Sequence, residues 1–156
     1  MGTGEQGTGI RIIPPLLFLA TFLIAWLLHW LFPLGLGLPV VPRRWIGGIV
    51  VVASLAVVPF LFLAFRRAGT AYETVTMPRA LVTTGLFRWS RNPGYVDLIA
   101  LGIGLTIFFD NLWVLILMVP ATVIMRQETI LKEEAVLERQ FGKEYRQYKA
   151  RVRRWI

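Results

Sequence analysis

IIPPLLFLATFLIAWLLHWLF, residues Ile12 to Phe32, is a run of 21 residues without a formal charge. A helix needs about 20 apolar residues to cross the hydrocarbon core of a bilayer, so this stretch alone is long enough to span. A second uncharged run of 21, WIGGIVVVASLAVVPFLFLAF, covers Trp45 to Phe65. Between the two, Pro33, Gly35, Gly37, Pro39 and Pro42 mark a turn region. A third apolar stretch runs from about Tyr95 to Phe109 and a fourth from Leu112 to Met125. Only Asp110 and Asn111 separate these last two, which predicts a tight helical hairpin. The fourth stretch is short for a span and is expected to continue as one helix into the polar segment Arg126 to Phe141. The fold class that follows is all-α: an integral membrane helical bundle of four transmembrane helices plus a cytoplasmic C-terminal helix.

Composition agrees with that reading. The chain has 156 residues, 56% hydrophobic and only 17% charged, against roughly 25% charged in a soluble domain. A disordered chain, a coiled coil and a DNA-binding module are all excluded. The absence of Cys rules out disulfides, thiolate nucleophiles and cysteine metal sites, and a single His rules out a multi-histidine metal centre. No metal site is expected. The net charge of +8 bears on orientation and anionic lipid before it bears on nucleic acid. Arg11, the segment Arg66 to Arg91 and the tail from Arg126 onward hold 15 of the 17 Lys and Arg, and the other face has only Arg43 and Arg44. Both termini and the middle loop are therefore expected to be cytoplasmic. Met1 to Gly9 is Gly/Thr-rich and expected to be flexible. The first helix reads as an uncleaved anchor, and Gln6 stands where a myristoylation signal needs Ser or Thr. There is no internal repeat. The expected organisation is one membrane domain: 1–11 a flexible N-terminus, 12–76 an N-terminal helical pair, and 77–156 a half that carries the polar residues.

Two polar clusters stand out in that half. The segment Thr83 to Tyr95 leads into the third helix, and Asn92 followed by Pro93 is a good N-cap and first-turn pair. A helix N-terminus attracts anions, and Arg88 and Arg91 strengthen that field, although contact with lipid headgroups is an equally good use for them. The second cluster is Glu133-Glu134. An apolar stripe runs Val123, Ile130, Leu137, Phe141, and Glu134 falls on it. A buried carboxylate needs a partner: either a structural ion pair with an arginine of the middle loop, or a ligand. Other positions have plainer readings. Gly102 and Gly104 suit close helix packing. His29, beside Trp30, suits an interface. Asp97 favours the dipole of the third helix and is a further candidate to face the site. Tyr145 and Tyr148 suit headgroup-level anchoring.

Taken in order, the two clusters resemble the membrane methyltransferase superfamily that includes isoprenylcysteine carboxyl methyltransferases and phospholipid N-methyltransferases. The first motif reads Gly85-Leu86-Phe87, then Arg91-Asn92-Pro93-Gly94-Tyr95. The second reads Glu133-Glu134, Leu137, Phe141-Gly142, Tyr145, Tyr148 and Val152, with the spacing of the family. Gly102-Ile103-Gly104 matches a Gly-x-Gly of the phospholipid branch. The resemblance covers Met77 to Trp155, and it departs from the family at Asn92, where His is common. It implies S-adenosylmethionine as cofactor and a lipophilic or prenylated acceptor, an isoprenylcysteine-type carboxylate or a related lipid. It implies catalytic roles for Arg91, Asn92 and Glu134. It implies cofactor contacts from Arg88, Asn92, Pro93, Tyr95, Gly102, Gly104, Glu133, Glu134, Tyr145 and Tyr148. The tail from Phe141 to Tyr148 is expected to fold back over the cofactor, with Gly142 ending the helix.

The residue types fit that chemistry. Arginines and a helix N-terminus suit the carboxylate of the cofactor, and a Glu suits its hydroxyls or amino group. Methyl transfer needs alignment and exclusion of water more than a metal or a nucleophilic side chain. Two other readings compete: an NADPH-dependent membrane reductase of the sterol type, and a non-enzymatic membrane protein whose basic tail, Lys143 to Arg154, binds anionic lipid.

Overall fold

The computed structural model describes residues 13–69 and 78–156. The expectations for Met1 to Gly9, for Arg11 and for the boundaries at 11/12 and 76/77 lie outside the described residues. Those residues are all-helical, with five α-helices: α1 (Pro14–Leu31), α2 (Val40–Arg67), α3 (Pro93–Phe109), α4 (Leu112–Met125) and α5 (Leu131–Arg151). A 3₁₀ turn, Gly85–Arg88, precedes α3, and a five-residue π-helical turn, Arg126–Ile130, joins α4 to α5 without a break. Among the described residues, three helices are long and apolar enough to cross a membrane: α1, α2, and the continuous Leu112–Arg151, whose apolar part is α4. α3 is equally apolar but has only 17 residues, about 26 Å of rise.

Prolines and polar caps set the helix boundaries. α1 and α3 carry Pro in the first turn, where a missing N–H costs nothing. α2 starts earlier than the turn-rich sequence suggests, so Val40 to Arg44 is helical. Pro42 sits in its first turn, where the backbone N–H has no partner to lose. The α3–α4 hairpin forms at Asp110-Asn111 as expected. Asp110 takes the left-handed conformation (φ 59°), which short polar side chains tolerate. Asn111 Oδ1 accepts from Trp113 N at 3.1 Å and its Nδ2 donates to Ala25 O at 3.1 Å. The α1–α2 connection is strapped to this hairpin: Leu36 N donates to Asp110 Oδ1 at 2.7 Å, and Trp113 Nε1 to Phe32 O at 2.8 Å. Arg43 Nη1 lies 3.4 Å from Asp110 Oδ2.

The bundle packs α2 on α3, α3 on α4, and α4 on α1. Small residues let backbones approach: a Cβ on Gly47 would lie 2.5 Å from Phe108 N and 2.8 Å from Gly104 O. Phe18, Ala25, Val114, Met118, Met125 and Ile130 form one core between α1 and α4. A second core gathers Leu61, Val82, Phe87, Tyr145 and Tyr148 at the end of the bundle where α2 finishes. Many large apolar side chains of α1 and α2 face outward, Trp30 and Trp45 among them. A bilayer solvates such faces, so they need no protein partner.

Candidate active site

The segment before α3 and the start of α5 meet at one end of the bundle. Arg91 Nη1 lies 3.2 Å from Glu134 Oε1, with only 9% of the Arg91 side chain and 8% of the Glu134 side chain exposed. Arg154, beyond the end of α5, forks onto the same carboxylate with bonds of 2.9 and 2.8 Å. Tyr95 OH donates to Glu133 Oε1 at 2.8 Å. Arg91 Nη1 donates to Tyr145 OH at 3.4 Å, and Tyr148 OH donates to Phe87 O at 2.7 Å. Asn92 caps α3 by position, but its side chain turns away from the helix and donates to Arg154 O at 3.0 Å. The expected side-chain cap is absent, and Asn92 N is satisfied instead by Ser90 Oγ at 3.1 Å.

Local sequence explains why these groups converge. The π-helical turn Arg126–Ile130 adds a residue to the path, and one extra residue turns everything after it by about 100°. Ile130 and Glu134 are thereby buried, whereas Val123, expected on the same stripe, is 48% exposed. Gly142 has φ 48° and ψ −113°, so α5 is two helical pieces meeting at a kink. The first piece ends at Gly142, as the motif suggests, and a second helical piece follows directly. It carries Tyr145 and Tyr148 inward, where both are buried.

The electrostatics of the cluster differ from residue to residue. Burial pushes the Glu133 carboxyl up to about 7, the Tyr95 hydrogen bond only partly opposing it and the neighbouring Glu134 adding to it. Burial would raise Glu134 too, but the Arg154 hydrogen bonds and the charges of Arg91 and Arg154 outweigh it and hold that carboxyl below its ordinary value. Tyr145 is pushed up to about 12 by burial and by the Glu134 charge. Arg91 Nε is buried with no hydrogen-bond acceptor among the described residues. The cluster thus holds two guanidiniums against one firmly ionised carboxylate and keeps one donor unused, an arrangement suited to an anionic or oxygen-rich ligand.

Of the residues singled out in the sequence, Arg91, Asn92, Pro93, Tyr95, Glu133, Glu134, Tyr145 and Tyr148 belong to this end of the bundle. The ion pair between Glu134 and an arginine of the middle loop is present. Arg88 is exposed and outside the cluster. Gly102 and Gly104 are not brought to it: they lie two to three turns along α3 from Pro93. A Cβ on Gly102 would lie 1.9 Å from Met118 Sδ, and one on Gly104 would lie 3.0 Å from both Val50 Cγ1 and Val51 Cγ2, so both serve helix packing. Asp97 lies beside Ser54 of α2. His29 Nδ1 is buried with no hydrogen-bond partner among the described residues. Sequence reading gave Ser90 no role and named Arg154 only in the basic tail of the competing lipid-binding reading. The helix ends at Val152, which is extended (φ −118°, ψ 129°), so no helical period points to Arg154.

Three comparisons bear on this geometry. Residues 42–144, well over half of the chain, match the family described as phospholipid methyltransferase. An uncharacterised protein of Haemophilus influenzae is 34% identical over 62 residues, which cover 40% of this chain and 98% of that protein. The solved structure of the eukaryotic intramembrane Ras methyltransferase ICMT, an isoprenylcysteine carboxyl methyltransferase, superposes with a TM-score of 0.61 at 20% identity. That superposition covers 97% of this chain and 52% of the other, so the chain spans about half the length of that structure, and the likeness is one of fold. The chain belongs to the phospholipid methyltransferase family.

Proposed function

We propose that the protein transfers a methyl group from S-adenosylmethionine to a lipophilic acceptor at the cytoplasmic boundary of the membrane. The observation that carries this reading is the meeting of the two family motifs in one buried cluster, through Arg91 and Glu134 at 3.2 Å. In this reading four helices cross the bilayer, α3 completing the set, and both termini face the cytoplasm. The support is the partition of 15 of 17 basic residues to the face where the cluster sits.

The residues present fit the cofactor. The unused Arg91 Nε, beside the N-terminus of α3, suits its carboxylate. Glu133 and Glu134 suit its amino group or ribose hydroxyls, and Tyr95, Tyr145 and Tyr148 line the same region. Bound there, the sulfonium would supply an already activated methyl carbon. The chain's own tasks are then to fix the ligand against Arg91 and Glu134 and to hold Asn92 beside them. The tyrosine-bearing half of α5 has to keep water out. A carboxylate acceptor needs no general base. For an amine acceptor, Glu133 is the better base of the pair, because it alone titrates near neutrality. The ICMT likeness makes a prenylated cysteine carboxylate one acceptor to test, with a phospholipid amine as the other.

Equilibrium binding of labelled S-adenosylmethionine and of NADPH to the purified protein in lipid nanodiscs tests the reading. It predicts saturable binding of the first and none of the second. Binding of NADPH alone would transfer the site to the reductase reading, and binding of neither would leave the lipid-binding reading.

A further inference from the structure

The last residues of the described chain touch both motifs at once. After α5 the chain becomes extended at Val152, which packs on the core around Tyr145 and Tyr148. Trp155 packs on the other core, around Met125 and Ile130. These two apolar anchors hold the intervening Arg154 between the cores. Its guanidinium forks onto Glu134 at 2.9 and 2.8 Å. Its carbonyl accepts from Asn92 Nδ2 at 3.0 Å and from Ser90 Oγ at 3.3 Å. Next to it, Arg153 O accepts from Arg91 N at 3.0 Å.

From this we propose that Arg154 is a positioning residue for methyl transfer: it clasps Glu134 of the second motif and the Ser90–Asn92 segment of the first into one fixed arrangement, and so sets the affinity for the methyl donor. The inference rests on the function proposed above. A lipid-facing role fits poorly, because both fork bonds point inward, whereas Arg151 and Arg153 are exposed. The planar fork of Arg matches a carboxylate through two parallel bonds, which Lys cannot reproduce. Substrate contact is not required of Arg154. Its effect passes through Glu134, which Arg91, Tyr145 and Lys149 also face and which Glu133 adjoins.

The test is binding of S-adenosylhomocysteine to the full chain in nanodiscs, measured calorimetrically from pH 5 to 8, for wild type, Arg154→Gln, Arg154→Lys and the exposed control Arg151→Gln. The expected result is at least tenfold weaker binding in Arg154→Gln, a smaller loss in Arg154→Lys and none in Arg151→Gln. The acid limb of binding should also move to higher pH in Arg154→Gln, because Glu134 has lost the cation that forks onto it. A purely structural clamp would not move that limb. Wild-type affinity with a wild-type acid limb in Arg154→Gln would overturn the proposal, and so would tighter binding, which would make the tail a plug. Should Arg154→Gln not fold, Arg154→Lys decides: threefold or greater weakening supports the clasp, and unchanged affinity overturns it. Failure of the wild type to bind would overturn the proposed function itself, and this inference with it.

Discussion

Glu133 and Glu134 are neighbours in sequence with opposite protonation behaviour, and the difference comes from what each faces. Glu133 is buried against the Tyr95 hydroxyl, and its carboxyl rises to about 7. Its folded value lies above the ordinary 4.5, so the stability it contributes is complete below about 4.5 and lost as pH rises through about 7. Glu133→Gln keeps an oxygen for Tyr95 but cannot titrate. The melting temperature of wild type relative to Glu133→Gln should therefore fall as pH is raised from 4.5 to 8, and a constant difference would show that Glu133 is solvated. Glu134 behaves in the reverse sense: its value is lowered, so its contribution is present above the ordinary carboxylate range and lost on acidification through the lowered value. Glu134→Ala leaves two guanidiniums without their buried partner, which should cost roughly 3–5 kcal/mol in thermal or denaturant unfolding. A loss below about 1 kcal/mol would mean the pair is open to solvent. Glu134 was legible in the sequence because an acid on an apolar stripe needs a partner. Arg154 was not, because its place depends on an extended segment that no periodicity describes.

Among the elements, α5 departs most from its sequence pattern. The 3.6-residue period from Val123 to Phe141 assumes an unbroken α-helix, and the π-helical turn Arg126–Ile130 shifts that register midway. Gly142 then breaks the helix with a φ,ψ pair that only glycine adopts readily. Gly142→Ala should destabilise the protein by roughly 1–3 kcal/mol and should weaken S-adenosylhomocysteine binding, since the kink aims Tyr145 and Tyr148. Equal melting temperature and equal affinity in that variant would refute the role given to the kink. The α2–α3 contact is the corresponding feature in the bundle. Gly47→Val has no room against Phe108 N, and overpacking of this kind costs roughly 1–3 kcal/mol or more. A Gly37→Ala control meets no neighbouring atom within 4 Å, although its positive φ of 69° adds a small strain of its own. The hairpin at Asp110-Asn111 and the helix start at Asn92-Pro93 were readable from the sequence, because turn and cap chemistry is local. The Asn92 hydrogen bond to Arg154 O was not, because it joins residues 62 apart in the chain.

For the whole molecule, the proposed orientation rests on charge partition and helix packing. The C-terminal end of α2, the start of α3 and all of α5 carry most of the basic residues and the buried cluster, and the α3–α4 hairpin with Arg43 and Asp110 lies at the other end. A reporter fused at residue 156 should read as cytoplasmic, and one inserted at 35–37 as non-cytoplasmic; the opposite pattern would reverse the topology. Uncharged run lengths made the helical membrane architecture legible, although α3, at 17 residues, falls short of the three helices long enough to cross. Substrate entrances were not legible, because they depend on how outward apolar faces meet lipid. A polar cofactor from the cytosol and a lipophilic acceptor from the bilayer can meet only where both are accessible, and in the proposed orientation the Arg91–Glu134 cluster lies at such a boundary. The most direct measurement is therefore an experimental structure of the protein in lipid with S-adenosylhomocysteine bound. The account predicts the ligand within hydrogen-bonding distance of Arg91 or Asn92 and of the Glu133–Glu134 pair, covered by the helix that follows Gly142. Density for the ligand at the Asp110 end of the bundle, or remote from both motifs, would contradict it.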